Sequence, residues 1–471
     1  MHAAAADRLP RHRQTARHRR LLPGLTLIRT RGPRPRYGSL VTAADSLMHR
    51  AGTALLNAFR PPTSPPSTAT VLRSVLWPVA IMSLLHRSIV LPLNGNITDD
   101  FKPVYRAVLN FRHGLDIYNE HFDYVDPHYL YSPGGTLLMS PFGYLPETLS
   151  RYTFIATNTI AILLAAYLLL RMFGFGLSSV AAPALLAAMF LTESVSSTLV
   201  FTNINGVILL AEVLYFRWLL DGRASRQWWA GVAIGLTLVV KPVLMPLLLL
   251  PLLSRQWRPF VGAIATPVLF NLVAFPLSSD PSSYFTQTVP YIMGTRDYFN
   301  SSILGNGVFF GLPSGLILFM RVLFTVLAAL SLWLLYRYYR TRDPRFWMLT
   351  SSGVLLTTSF LVLSLGQGYY SIVLFPFLMT VVLPNSVLRN WPAWLAVYGF
   401  MTLDKWLIFR WMNIGRPLDY LKITYGWSLL VIVVCAVLCY RYLDAREQGR
   451  LDDGIDPAWL ATPPAKAAAT T

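Results

Sequence analysis

Apolar stretches of about 20 residues recur through most of this 471-residue chain. Because a helix crosses the hydrocarbon core of a bilayer with roughly 20 apolar residues, each stretch predicts a transmembrane helix. Only 13% of the residues are charged, against about 25% in soluble proteins. We predict an all-α polytopic membrane protein with roughly 10–12 transmembrane helices, drawn from residues 74–93, 153–172, 176–193, 198–219, 228–240, 242–253, 259–277, 316–337, 346–364, 370–384, 392–409 and 424–442.

The net charge of +18 comes from 40 basic and 22 acidic residues. The positive-inside rule explains this excess better than nucleic-acid binding does, because the arginine-rich loops fall on one side when the N-terminus is cytoplasmic and the spans alternate. We predict a basic, largely disordered cytoplasmic tail at 1–70, a transmembrane catalytic domain at 71–445 and a cytoplasmic C-terminal tail at 446–471. The first outer loop, 94–150, then belongs to the active site.

Two adjacent carboxylates, Asp99 and Asp100, follow the first predicted span directly. Charge at a membrane surface is costly and usually functional. Neighbouring carboxylates repel each other, which raises one pKa and suits a general base. They could also bind a divalent cation, although the sequence does not require a metal or any other cofactor. The alternative is a solvated loop without a catalytic role.

Residues 116–135 interleave Tyr, His and Asp side chains. Aromatic faces stack on sugars while polar groups bind sugar hydroxyls, so we expect Tyr118, His128 and Tyr131 to contact a glycan. The alternative is an interfacial aromatic belt. The short apolar segment 134–147 that follows predicts a re-entrant or interfacial element. No spacing in this loop resembles a zinc site.

Lys241, followed by Pro242, splits two apolar stretches. A buried ammonium is costly unless it faces an anion, so we expect Lys241 to bind a phosphate. The alternative is a lysine that snorkels to the surface. Weaker candidates for the same anion are Lys102, Arg106 and Arg296.

Amides and aromatics from distant segments join this predicted outer face. Asn203 and Asn205 begin a predicted span, where they either cap the helix or contact a polar ligand. Asn300, Gln367 and Tyr369 are candidate sugar contacts. The cysteines, Cys435 and Cys439, are four residues apart in the last apolar stretch and are expected to pack there without forming a metal site.

Three segments carry a resemblance to a known family, and they are residues 94–112, 118–131 and 294–307. With the acidic first outer loop and the mid-chain lysine, they resemble the GT-C class of polyprenyl-phosphate-sugar glycosyltransferases. Within that class they are similar to the mycobacterial α-(1→3)-arabinofuranosyltransferases. The similarity extends from about residue 38 to the 450s and leaves out the basic tail.

The resemblance implies decaprenyl-phosphoryl-arabinose as donor and the arabinan of arabinogalactan and lipoarabinomannan as acceptor. It implies α-(1→3) branching with inversion, one general base at Asp99 or Asp100, and an active site facing the periplasm of a bacterial plasma membrane. Only Asn205 matches the Gly-Gln-X-Asn motif of the wider family, so a role for Asn203 is not implied.

Two alternatives remain open. A mannosyltransferase that uses polyprenyl-phosphate-mannose would have the same body, because side chains do not reveal the sugar. A secondary transporter or lipid flippase is the alternative from another class, but transporters place ionisable groups near the bilayer midplane and use repeated halves. Walker and dinucleotide-binding motifs are absent from the sequence, which argues against a nucleotide-dependent enzyme.

Overall fold

The computed structural model describes residues 46, 48–50, 52–53, 65–95, 99–118, 121–124 and 127–461. The chain divides into residues 1–66 and 67–471. In the first unit, the described residues 46, 48–50, 52 and 53 are helical. The disorder predicted for most of the tail falls outside the described residues.

In the described part of the second unit, helices are the only regular secondary structure, which confirms the all-α prediction. Short 3₁₀ and π segments interrupt or extend several helices, most of them near proline. The α-helices are α1 Thr68–Leu85, α2 Leu91–Asn94, α3 Phe101–His113, α4 Pro133–Met139, α5 Glu147–Met172, α6 Ala181–Phe190, α7 Glu193–Val200, α8 Asn205–Asp221, α9 Ala224–Val240, α10 Leu249–Leu253, α11 Trp257–Ala274, α12 Val289–Met293, α13 Ile303–Phe309, α14 Ser314–Tyr338, α15 Pro344–Val362, α16 Phe375–Leu378, α17 Trp391–Met401, α18 Met412–Glu447 and α19 Ala458–Ala461.

Five helical stretches in the described part are long and apolar enough to cross a membrane, and a sixth is the pair α6 and α7, bent by 59°. The multi-span membrane character is therefore confirmed. The predicted count of roughly 10–12 is not reached by length and composition. The five stretches are Thr68–Asn94, Glu147–Met172, Trp257–Leu277, Ser314–Tyr338 and Phe409–Glu447.

Several predicted spans are not single helices. Residues 242–253 form a 3₁₀ segment, Pro242–Leu248, followed by the five residues of α10, and residues 370–384 are similarly divided. Proline explains this division, since it removes a backbone donor and clashes with the preceding turn. The predicted span 198–219 breaks between α7 and α8.

The break between α7 and α8 places polar residues inside the helical body. Thr202 there has a φ of 54°, a left-handed conformation that is uncommon for a β-branched residue. Asn203 and Asn205 flank the turn and are both buried. Helices α5 and α9 both pack against α8, and residues in or directly after them complete the site.

Candidate active site

The loop that follows the first span is held directly against the α7–α8 break. The backbone N–H of Asp100 donates to the carbonyl oxygen of Phe201 over 2.9 Å. Asp100 immediately precedes α3, so this bond fixes the start of that helix. The carboxylate of Asp100 thereby comes close to Asn203, which is 103 positions away in the chain.

Asn203 bridges the carboxylate and the lysine. Its Nδ2 donates to Oδ2 of Asp100 over 2.6 Å, and its Oδ1 accepts a hydrogen bond from Nζ of Lys241 over 3.2 Å. Lys241 Nζ also donates to Oδ1 of Asn205 over 3.3 Å. We call Asp100, Asn203, Asn205 and Lys241 the polar cluster.

Neither asparagine is needed to cap α8. The N-terminus of α8 is capped by Asn158 of α5, whose Oδ1 accepts from the N–H groups of Gly206 and Val207 over 3.0 and 3.3 Å. Capping by Asn203 or Asn205, the alternative considered from the sequence, is therefore wrong. Because Asn158 supplies the cap, the side-chain amides of Asn203 and Asn205 are free to contact other polar groups of the cluster.

Lys241 lies where the chain leaves α9, and it is half-buried. Its Nζ lies 4.9 Å from the ring centroids of both Tyr369 and Tyr370, within the range of cation–π attraction. An ammonium has three protons, and two of them go to the asparagines. One donor remains for an anion, which fits a phosphate better than a residue that snorkels to the surface.

The electrostatics keep Asp100 suited to accept a proton. Burial raises the pKa of Asp100 above its ordinary value, and the positive charge of Lys241 and the Asn203 hydrogen bond oppose that rise. Among the described residues, Oδ1 of Asp100 has no hydrogen-bond partner, while Oδ2 is held by Asn203. A held carboxylate with one open oxygen and a raised pKa has the chemistry of a general base.

Asp99 is engaged elsewhere. Its Oδ2 accepts from Nε of Arg151 over 2.6 Å, and its Oδ1 accepts from the backbone N–H of Phe101 over 2.9 Å. Arg151 also donates to the carbonyl oxygen of Pro92 over 3.0 Å. Both carboxylate oxygens of Asp99 are therefore occupied, one by the start of α3 and one by Arg151 of α5. Arg151 in turn connects them to the end of the first span.

Two buried donors near the polar cluster lack partners in the described part of the chain. They are Nδ2 of Asn205 and Oγ1 of Thr202. Leaving a buried polar group unsatisfied costs about 1–3 kcal/mol, so these two donors are available to the oxygen atoms of a ligand. Together with Lys241, they form a donor set suited to a phosphate.

Arg296, Tyr131 and Gln367 lie around this cluster. The charge of Arg296 interacts with both Asp100 and Lys241, and its guanidinium lies 5.6 Å from the Tyr291 ring centroid. Tyr131 lies close enough to Asp100 to interact with it electrostatically. Gln367 accepts a hydrogen bond from the hydroxyl of Tyr369.

The aromatic loop contributes a packed layer beside the cluster. The hydroxyl of buried Tyr118 donates to the carbonyl oxygen of Tyr131 over 2.9 Å. His128 packs edge-on against Tyr291 at 5.2 Å, and Phe122 stacks on the same ring at 4.2 Å. Tyr118 therefore supports Tyr131, whereas His128 belongs to a separate aromatic group with Tyr291.

Asn300 has a structural role in the described chain. Its Nδ2 donates to the carbonyl oxygens of Arg296 and Ser364, and its Oδ1 accepts from the N–H groups of Ser302 and Gly366. All four bonds are 2.8–3.0 Å long. Asn300 thus ties the loop of Arg296 to the turn that carries Tyr369.

Lys102 and Arg106 are exposed on α3, and no hydrogen bond or ion pair among the described residues joins them to the polar cluster.

The sequence did not predict a role for Arg151 or Asn158. It predicted Asn203 as a candidate, although the family resemblance implies no role for that residue. Asn158 had a detectable signal, since an amide within an apolar helix is uncommon and usually paired.

Within the described ranges, no group of three or more His, Cys, Asp and Glu residues could hold a metal ion.

The polar cluster joins a carboxylate and an ammonium through an amide, between the helices of a multi-span protein. The chain belongs to glycosyltransferase family 87, whose family model matches residues 129–364. This confirms the glycosyltransferase class over the transporter and flippase alternatives. The matched range includes Asn203, Asn205 and Lys241, while Asp100 precedes it.

The chain is similar to curated α-(1→3)-arabinofuranosyltransferases over most of its length. It is 74% identical over 424 residues to the protein of that name from Mycobacterium tuberculosis, covering 90% of this chain and 98% of the relative. It is 68% identical over 425 residues to the Mycolicibacterium smegmatis protein, with the same coverage. The relative from Corynebacterium glutamicum is 42% identical over 378 residues, covering 80% of this chain and 90% of that relative.

Proposed function

We propose that this membrane glycosyltransferase moves arabinofuranose from decaprenyl-phosphoryl-arabinose to a 3-hydroxyl of cell-wall arabinan. The product would be an α-(1→3) branch in arabinogalactan or lipoarabinomannan. The names of relatives up to 74% identical support the sugar and the linkage. The resemblance of residues 94–112, 118–131 and 294–307 to the lipid-donor class supports the polyprenyl phosphate.

The observation that carries the proposal is the pairing of Asp100 and Lys241 across Asn203. Asp100 takes the proton of the acceptor 3-hydroxyl through its open Oδ1. The resulting alkoxide forms a bond to the anomeric carbon while the bond from that carbon to the phosphate oxygen breaks, so decaprenyl phosphate leaves. A single displacement of this kind inverts the anomeric configuration.

The departing phosphate gains charge as the bond breaks. The third proton of Lys241, Nδ2 of Asn205 and the hydroxyl of Thr202 are the donors we assign to its oxygens. Donors already in place around a developing charge lower the barrier, since they need no reorganisation during the reaction. Arg296 adds a further positive charge from the 294–307 segment.

We propose that the polar cluster faces the periplasm of a bacterial plasma membrane and that both termini are cytoplasmic. The excess of arginine in the opposite loops supports this orientation. Tyr131, Gln367 and Tyr369 are then the proposed sugar contacts nearest the cluster, while Tyr118 and Asn300 act by holding their neighbours.

Transfer by the purified protein tests the proposal. The protein in detergent is mixed with polyprenyl-phosphoryl-arabinose and a synthetic α-(1→5)-linked arabinan, and the product linkage is determined by NMR. We expect an α-(1→3) branch. Transfer from polyprenyl-phosphate-mannose instead would establish the mannosyltransferase alternative, and absence of transfer from both donors would contradict the proposed activity.

A further inference from the structure

Glu193 is a carboxylate that the proposed mechanism does not use. It is the first residue of α7 and is half-buried. Its Oε1 accepts a hydrogen bond from the hydroxyl of Ser197 over 2.6 Å, whereas its Oε2 has no hydrogen-bond partner in the described part of the chain. An ionised carboxylate only accepts hydrogen bonds, and rotation about its last side-chain bond is easy. A ligand that brings a donor can therefore satisfy this oxygen.

Glu193 adjoins the turn that carries Tyr369. Helix α7 packs against the 3₁₀ segment that begins at Gly368, and a Cβ atom at Gly368 would lie 3.2 Å from Oε2 of Glu193. The ring of the next residue, Tyr369, lies 4.9 Å from Nζ of Lys241 and 6.4 Å from the ring of Phe201. The turn therefore extends from the polar cluster to Glu193.

Two lysines lie within electrostatic range of Glu193 but do not pair with it. Nζ of Lys422 donates to Oδ1 of Asp419 over 3.0 Å and to the carbonyl oxygen of Asp404 over 2.6 Å. Lys405 is exposed, and no hydrogen bond or ion pair among the described residues joins it to Glu193. Because these positive charges already compensate the carboxylate, a neutral hydroxyl suits Oε2 better than a further cation does.

Glu193 lies too far along α7 to act on the reacting hydroxyl. Phe201, whose carbonyl oxygen binds the N–H of Asp100, follows the last residue of α7. It comes eight positions after Glu193, which corresponds to about 12 Å of helix. The donor is a single sugar fixed at its phosphate, but the acceptor is a chain. A glycan that places its 3-hydroxyl at Asp100 would bring a neighbouring sugar residue towards Glu193.

We propose that Glu193 binds a hydroxyl group of the acceptor glycan, on a sugar residue beside the one that is substituted. The proposal rests on the proposed function, since it concerns the acceptor of the same reaction. A carbohydrate chain offers hydroxyl donors along its length, and hydrogen bonds to an ionised acceptor are among the stronger ones. Glu193 would thereby hold the acceptor chain in register with Asp100.

The experiment measures the KM for the arabinosyl donor and for the arabinan acceptor separately in Glu193→Gln. This change keeps the size of the side chain and removes its charge and one acceptor oxygen. We expect the acceptor KM to rise about tenfold, since a hydrogen bond to a charged group is lost, while the donor KM and the Tm stay near wild type. An unchanged acceptor KM, or a rise in the donor KM alone, would overturn the proposal.

Glu212→Gln is the matched control. Glu212 of α8 is also buried, and neither of its carboxyl oxygens has a partner in the described ranges. Both KM values should therefore stay unchanged in this variant. An equal rise of the acceptor KM in Glu212→Gln would show that loss of any buried carboxyl has this effect, and would overturn the assignment to Glu193.

Acceptors that each lack one hydroxyl group identify the bond, with binding followed by saturation-transfer NMR. One of them should bind wild type as weakly as intact arabinan binds Glu193→Gln, and the substitution should not weaken its binding further. An equal loss for every acceptor would show that Glu193 acts through the fold, and would overturn the proposal. Binding in the expected pattern without any transfer of arabinose by wild type would contradict the proposed activity and leave the assignment of Glu193 standing.

Discussion

Removing the charge of Asp99 should lower the free energy of unfolding substantially and should have only a small effect on turnover. The Asp99–Arg151 pair is 2.6 Å long, and the side chains are only 6% and 15% exposed. Breaking a buried pair by removing one partner costs about 3–5 kcal/mol, because the other charge remains buried without compensation. Asp99→Asn keeps an oxygen for the Phe101 N–H, so we expect about 3 kcal/mol, at the lower end of that range.

Thermal unfolding of the detergent-solubilised protein measures this cost. The double-mutant cycle of Asp99→Asn with Arg151→Met isolates the pair, since coupled residues show non-additive free energies. We expect the double variant to be more stable than the sum of the single losses predicts, and folded Asp99→Asn to keep turnover within about tenfold of wild type. Strict additivity, or a turnover loss in folded Asp99→Asn as large as that of Asp100→Asn, would refute this structural role.

Four further predictions concern the cluster and its support. Lys241→Met removes the positive charge that opposes the raised pKa of Asp100. The acid limb of the kcat/KM profile should therefore move to higher pH. An unmoved limb would show that the charge of Lys241 does not affect the ionisation of Asp100. Thr202→Gly should raise the Tm, because relieving a left-handed β-branched residue is worth about 1 kcal/mol; a lower Tm would contradict the strain. Asn158→Ala should cost about 1 kcal/mol through the lost cap of α8 and lower kcat, whereas normal stability would show that the cap is dispensable. Reporter fusions after residues 130 and 290 should read outside, and a cytoplasmic signal from either would overturn the orientation.

The sequence predicted the helical class and several spans because long apolar stretches are local signals. The predicted stretches 153–172 and 316–337 lie within α5, Glu147–Met172, and α14, Ser314–Tyr338. The α7–α8 break was missed, since residues 198–219 are apolar on both sides of the turn and hydropathy averages across it. Thr202, Asn203 and Asn205 are the polar residues at the turn itself, and they mark the candidate site.

Most residues of the candidate site could be predicted from the sequence, but the hydrogen bonds and ion pairs between them could not. Asp100, Asn205 and Lys241 are visible as polar residues in apolar surroundings. The choice between Asp99 and Asp100 depends on Arg151, which is 52 positions from Asp99 in the chain. Adjacency in sequence cannot distinguish two carboxylates whose partners come from different helices, and Asn203 gains its role only from folding against the first loop.

The measurement that tests the account most directly is the turnover of Asp100→Asn beside that of Asp99→Asn, in the arabinosyl transfer assay with folded protein of each. Loss of a general base lowers the rate about 10²–10⁴-fold. We predict that loss for Asp100→Asn, with the KM for the donor nearly unchanged because the amide still accepts from Asn203. Wild-type turnover by Asp100→Asn would contradict the assignment of the base and the mechanism built on it.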